Sequence, residues 1–80
     1  MRVDKFLKVS RIIKRRTVAA EAADGNRVLV NGKAAKPGRK LKIGDELKIY
    51  LSQNEIRLVV KSLNEKPGKA DAVSLYEIMQ

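Results

Sequence analysis

The spacing of apolar residues changes once along this chain, and that change limits the folds open to it. Val3, Phe6, Leu7, Ser10 and Ile13 fall at steps of three and four, the period of a helix that buries one stripe. After Gly25 the period becomes two. Val28 and Val30 alternate with Arg27 and Leu29, and Leu47, Ile49 and Leu51 alternate with Glu46, Lys48 and Tyr50. Ile56, Leu58 and Val60 then share one face of a further strand. Helical spacing first and strand spacing afterwards describe an α+β chain: two N-terminal helices on a small, mainly antiparallel sheet of four to five strands.

The punctuation agrees with this reading. A first helix spans 3–13, where Asp4 precedes Lys8 by four, a favourable acid-to-base pair. Thr17 stands where an N-cap would begin a short Ala-rich helix over 18–24, and Gly25 can end it with a positive φ. Asn31-Gly32 predicts a type I′ hairpin turn, with Lys33 to Ala35 as the returning strand. Lys36-Pro37-Gly38-Arg39-Lys40 reads as an exposed basic loop, either laid along a nucleic-acid backbone or a solvated connector. Ile43-Gly44-Asp45 and Ser52-Gln53-Asn54 are turns, with strands over 46–51 and 55–63. Lys66-Pro67-Gly68-Lys69 breaks regular structure. Val73, Leu75, Tyr76, Ile78 and Met79 suggest a short C-terminal helix or docked tail. Eighty residues make one domain, with 1–63 as the folded part and 64–80 as linker and tail.

Charge is distributed unevenly over that frame. Residues 1–42 carry 13 basic and 3 acidic side chains, whereas residues 43–80 carry 5 basic and 6 acidic. Seven of the first 16 residues are Lys or Arg: Arg2, Lys5, Lys8, Arg11, Lys14, Arg15 and Arg16. Three consecutive cations, Lys14 to Arg16, repel one another and do nothing evident for folding. Set at a corner before a helix start, they suit the holding of phosphates. Arg15, Arg16 and Thr17 therefore form one candidate anion site, extended by Arg2, Lys5 and Arg11, then by Lys8 and Lys14.

Other chemistries lose ground by composition. The chain has no cysteine and no histidine, which removes thiolate sites, disulfides, and the commonest general base and metal ligand. There is no glycine-rich nucleotide loop and no paired-acid motif, so we expect a binding protein without catalysis, metal or cofactor. No secretory pattern and no apolar run of about 20 residues is present, so we expect a cytoplasmic protein without membrane contact. A DNA-reading helix-turn-helix would carry polar base readers on its second helix, but residues 18–23 are Val-Ala-Ala-Glu-Ala-Ala. Phe6, Tyr50 and Tyr76 are the only aromatics, too few for stacking on single strands to dominate. Structured RNA, read by shape and phosphate, fits better.

Three blocks then carry a family resemblance: Met-Arg-Val-Asp-Lys-Phe-Leu at 1–7, Lys-Arg-Arg-Thr at 14–17, and Gly-Asn-Arg-Val-Leu-Val-Asn-Gly at 25–32. Lys36-Pro37 and Gly44-Asp-Glu-Leu47 follow in order. Together they resemble the S-four-type RNA-binding domain, also called the αL motif, over roughly the first 60 residues. Within it the chain resembles the RqcP-type branch of ribosome-associated quality control, and more distantly the fifteen-kilodalton ribosome-recycling heat-shock proteins. The latter carry a basic C-terminal extension with no counterpart here.

This resemblance implies binding to large ribosomal subunits that hold a stranded peptidyl-tRNA, through rRNA and the peptidyl-site tRNA. It also implies partnership with an RqcH-type factor in C-terminal alanine tailing; we expect a monomer. The family's RNA-contacting positions match Arg2, Lys5, Arg11, Arg15, Arg16 and Thr17, and extend to Lys8 and Lys14. The alternative readings are a heat-shock recycling factor or another rRNA-binding ribosomal protein.

Overall fold

The computed structural model describes residues 1–79. Helix α1 spans Val3–Val9 and α2 spans Arg16–Asp24. Five strands follow: β1 Val28–Val30, β2 Lys33–Ala34, β3 Glu46–Leu51, β4 Asn54–Val60 and β5 Tyr76–Ile78, with a 3₁₀ helix over Lys69–Leu75 before the last. They form one sheet in the order β2-β1-β3-β4-β5, antiparallel throughout. The expected α+β architecture is present, with the sheet at the upper end of the expected strand number.

The helical stripe and the inward strand residues make a single core. Val3, Phe6, Leu7, Ala19, Ala22 and Ala23 meet Val28, Val30, Leu47, Ile49, Leu58 and Val60. The three alanines keep α2 thin on its inner side, so it lies close on its neighbours. Register puts Leu47 opposite both Val30 and Leu58, and Ile49 opposite Val28 and Ile56. A slip of one residue would turn all of these outward, so the buried face sets the pairing.

Asn31 and Gly32 both have positive φ, 51° and 85°, as a type I′ turn requires. Asn31 also ties the hairpin to the next strand: its Oδ1 accepts from the Glu46 amide at 2.9 Å, and its Nδ2 donates to Asp45 Oδ1 at 3.1 Å.

Several local expectations need correction. Helix α1 ends at Val9, not at residue 13. Arg11 enters the left-handed region at φ 64°, and the Ile13 amide returns to donate to the Leu7 carbonyl at 3.1 Å. That reversal lets Ile13 stay buried while the chain turns toward α2. Helix α2 begins at Arg16, so Thr17 lies inside its first turn; Arg15, with extended backbone, holds the cap position without a side-chain cap bond. At the other end Gly25 has φ −84°, and Asn26 takes the left-handed position at φ 60°. The Asn26 and Arg27 amides donate to the Ala23 and Ala22 carbonyls, the paired bonds of a Schellman ending, in which asparagine can replace glycine.

The Lys36–Lys40 loop is no free connector. The Val3 amide donates to the Arg39 carbonyl at 2.8 Å and the Asp4 amide to the Pro37 carbonyl at 3.2 Å. Those carbonyls satisfy helix-start amides of α1 that have no partner within the helix. Arg2 bridges to Lys40, and the Leu41 amide donates to the Met1 carbonyl at 2.8 Å.

The C-terminal segment also docks. Leu75 is 1% exposed, its carbonyl accepts from the Lys61 and Ser62 amides, and β5 covers the edge of β4. The strand expected over 55–63 ends at Val60, where this return begins.

Candidate nucleic-acid interface

Asp4 is the pivot of the basic surface. Its side chain is 6% exposed, and Arg2 Nε and Arg16 Nε each lie 3.3 Å from one of its oxygens. The Lys5 amide donates to Asp4 Oδ1 at 2.8 Å. Helix α1 supplies the carboxylate, the chain start supplies Arg2, and the first turn of α2 supplies Arg16. Arg2 stands two residues from Asp4 along the chain, and the fold brings Arg16, twelve residues on, to the same carboxylate. Both guanidiniums remain about half exposed, at 51% and 44%, so each keeps donors that face solvent. This is a two-pronged fork held at fixed spacing by one buried acid. A guanidinium can offer such free donors to phosphate oxygens as a planar pair.

The expected Asp4–Lys8 pair is therefore replaced: Asp4 turns to the two arginines, and Lys8 is exposed. Lys5 is partly buried and pairs with Glu65 Oε1 at 3.3 Å. Arg15 and Thr17 lie exposed beside Arg16. Lys8, Arg11 and Lys14 line an open cleft of about 470 Å³ together with Val9, Glu65, Lys66 and Pro67. Glu65 belongs to the cleft and also holds Lys5, so cleft and fork adjoin. Arg2 and Arg16 are brought together; Lys8, Arg11 and Lys14 form a neighbouring group. Gly38 sits 3.7 Å from the Arg2 guanidinium, measured from the position a Cβ would occupy, which places the Lys36–Lys40 loop alongside the fork.

Sequence reasoning missed Asp4 as an anchor and Glu65 and Lys66 as part of this surface. Twelve residues separate Asp4 from Arg16 and sixty separate Lys5 from Glu65, and no local periodicity reports such pairs. A raised pKa lies elsewhere: Lys48, on the sheet face away from the helices, is held above its ordinary value chiefly by Glu55, whose Oε1 lies 3.0 Å from its Nζ. Among the described residues no group of three or more Asp and Glu side chains is placed to hold a metal ion, and no helix is long and apolar enough to cross a membrane.

Comparison with known proteins gives a consistent picture. The S4 domain family model matches residues 1–47. The RQC P-site tRNA stabilizing factor of Listeria innocua serovar 6a is 48% identical over 80 residues, spanning all of this chain and 87% of that protein. The factor of the same name from Bacillus subtilis is 45% identical over 80 residues and is covered over 93% of its length. Among solved structures, the trimeric Heat Shock Protein 15 of Vibrio cholerae superimposes with a TM-score of 0.91 at 28% identity, over 99% of this chain and 81% of that one.

Proposed function

The chain belongs to the S4 domain family, and on that premise we propose that it is a non-enzymatic RNA-binding factor of ribosome-associated quality control. In this reading it binds large ribosomal subunits that carry peptidyl-tRNA, contacts rRNA and the peptidyl-site tRNA, and supports alanine tailing by an RqcH-type factor. It acts in the cytoplasm as a monomer. Residues 1–63 are the RNA-binding part, and 64–80 are the linker and tail, within which β5 pairs with the sheet edge. Full-length likeness to proteins named as P-site tRNA stabilizing factors supports the setting.

The observation that carries the reading is the Arg2–Asp4–Arg16 fork beside exposed Lys8, Arg11, Lys14 and Arg15. Cations set at fixed spacing on a rigid corner grip a shaped phosphate backbone and ignore base identity. Thr17 contributes a hydroxyl within reach of the same corner.

Gradient sedimentation of the tagged protein tests this. We expect it with large subunits and away from small subunits and intact translating ribosomes. Sequencing of the tRNA in that fraction separates quality control from a permanent ribosomal role. Cosedimentation with small subunits, or with no ribosomal particle, refutes the proposal. Arg16→Ala should weaken binding and lower the log–log salt slope by about one, while the circular dichroism spectrum stays that of the folded parent.

A further inference from the structure

We propose that the Glu65–Pro67 segment is the second wall of a phosphate cleft, in which Lys66 contacts the RNA backbone opposite Lys8, Arg11 and Lys14. This rests on the RNA-binding reading above and assigns a role to the chain beyond residue 63.

Four cationic side chains line an open cleft of about 470 Å³. Among the described residues Lys8, Arg11, Lys14 and Lys66 make no ion pair, and the one acid of the cleft, Glu65, is committed to Lys5 at 3.3 Å. Gathering uncompensated like charges works against folding, so their convergence asks for an external anion. Arg11 sharpens the point. It sits at φ 64°, a left-handed conformation that is costly for a residue with a side chain and where glycine or asparagine would be easier. The left-handed turn nevertheless carries an arginine, and that arginine lines the cleft.

The wall is built, not merely nearby. The Asn64 amide donates to Ser62 Oγ at 3.3 Å, and the Lys66 amide donates to Asn64 Oδ1 at 3.1 Å. Pro67 fixes its own φ and restricts Lys66 before it, and the Glu65–Lys5 pair ties the segment to α1. Val9 and Pro67 leave apolar ground between the cations, which suits the sugars of a polynucleotide better than a bare ion. Lys5, shared between wall and helix, joins this cleft to the Arg2–Asp4–Arg16 fork, so a backbone leaving one can enter the other.

The absence of cysteine permits a direct test. Lys66→Cys, derivatised with an iron chelate that generates hydroxyl radicals, is bound to purified large ribosomal subunits carrying peptidyl-tRNA. We expect cleavage of RNA near the tether, mapped to rRNA or tRNA by sequencing, and none from Lys48→Cys on the opposite sheet face. In parallel, Lys66→Gln should lower affinity roughly three- to tenfold and the salt slope by about one; Lys66→Arg should restore both, and Lys48→Gln should change neither slope nor affinity.

A bound Lys66→Cys derivative that cuts no RNA, or cuts only ribosomal protein, overturns the cleft, as does a Lys66→Gln slope equal to that of the parent. Failure of the parent chain to bind the subunits at all overturns the underlying RNA-binding reading as well.

Discussion

Replacing Asp4 by asparagine sets net charge against geometry. The substitution keeps shape and keeps an oxygen to accept from the Lys5 amide, but it removes the charge that both arginines share. At 3.3 Å and an effective dielectric of about 20, each pair has a gross attraction of about 5 kcal/mol. Half-exposed guanidiniums return most of that to water, and ion pairs open on one side typically net ~0.2–1 kcal/mol each. We therefore expect Asp4→Asn to cost roughly 1 kcal/mol in total, a fall of about 4–8 °C in Tm for a domain of this size. The loss should shrink at high salt.

Binding gives the sharper outcome. The variant carries one positive charge more than the +9 of the parent, so bulk electrostatics alone predicts tighter association with RNA. If the fork works by holding Arg2 and Arg16 at a set spacing, affinity for large ribosomal subunits must fall several-fold despite the added charge. Thermal melts at two ionic strengths and a salt titration of subunit binding measure both effects. An Asp4→Asn protein that melts lower yet binds as tightly as the parent, or tighter, at each salt concentration refutes the positioning argument.

Further expectations concern the frame that carries the fork. Leu47→Ala, at a side chain 1% exposed between β1 and β4, should cost ~2–5 kcal/mol in urea unfolding; an unchanged midpoint would remove Leu47 from the core. Leu75→Ala should cost a similar ~2–5 kcal/mol, because Leu75 is equally buried and its segment docks on β4; a parental melting curve would show that the tail adds nothing to the fold. Thr17→Ala should change stability by less than about 0.5 kcal/mol, against the ~1 kcal/mol that loss of a true N-cap costs. A larger effect would return Thr17 to the capping role that Arg15 occupies here.

Much of this molecule was legible before any coordinates. The stripe Val3, Phe6, Leu7, Ser10 and Ile13 is buried as its spacing demands, and the Asn31-Gly32 turn and the alternation of Leu47, Ile49, Leu58 and Val60 appear as read. These are local signals, in which a period of three to four or of two maps directly onto one face. Boundaries were less legible. Helix α1 stops short because Arg11 accepts a left-handed conformation that its residue type does not advertise, and α2 starts a residue before Thr17 because Arg15 supplies the extended cap. Asn26, not Gly25, takes the positive φ, since the Schellman bonds need that geometry one position later.

The sequence by itself determined that one half of this chain is a strongly cationic, helix-first surface on a strand-built support, because charge and periodicity are properties of neighbours along the chain. Tertiary structure decided what those cations do. It turned Asp4 away from Lys8 to hold Arg2 and Arg16, docked the Lys36–Lys40 loop on the start of α1, and brought Glu65 and Lys66 to the cleft beside Lys8 and Lys14. Apart from the Arg2–Asp4 pair, each of those contacts closes a loop of many residues, and only the packed core holds such ends together.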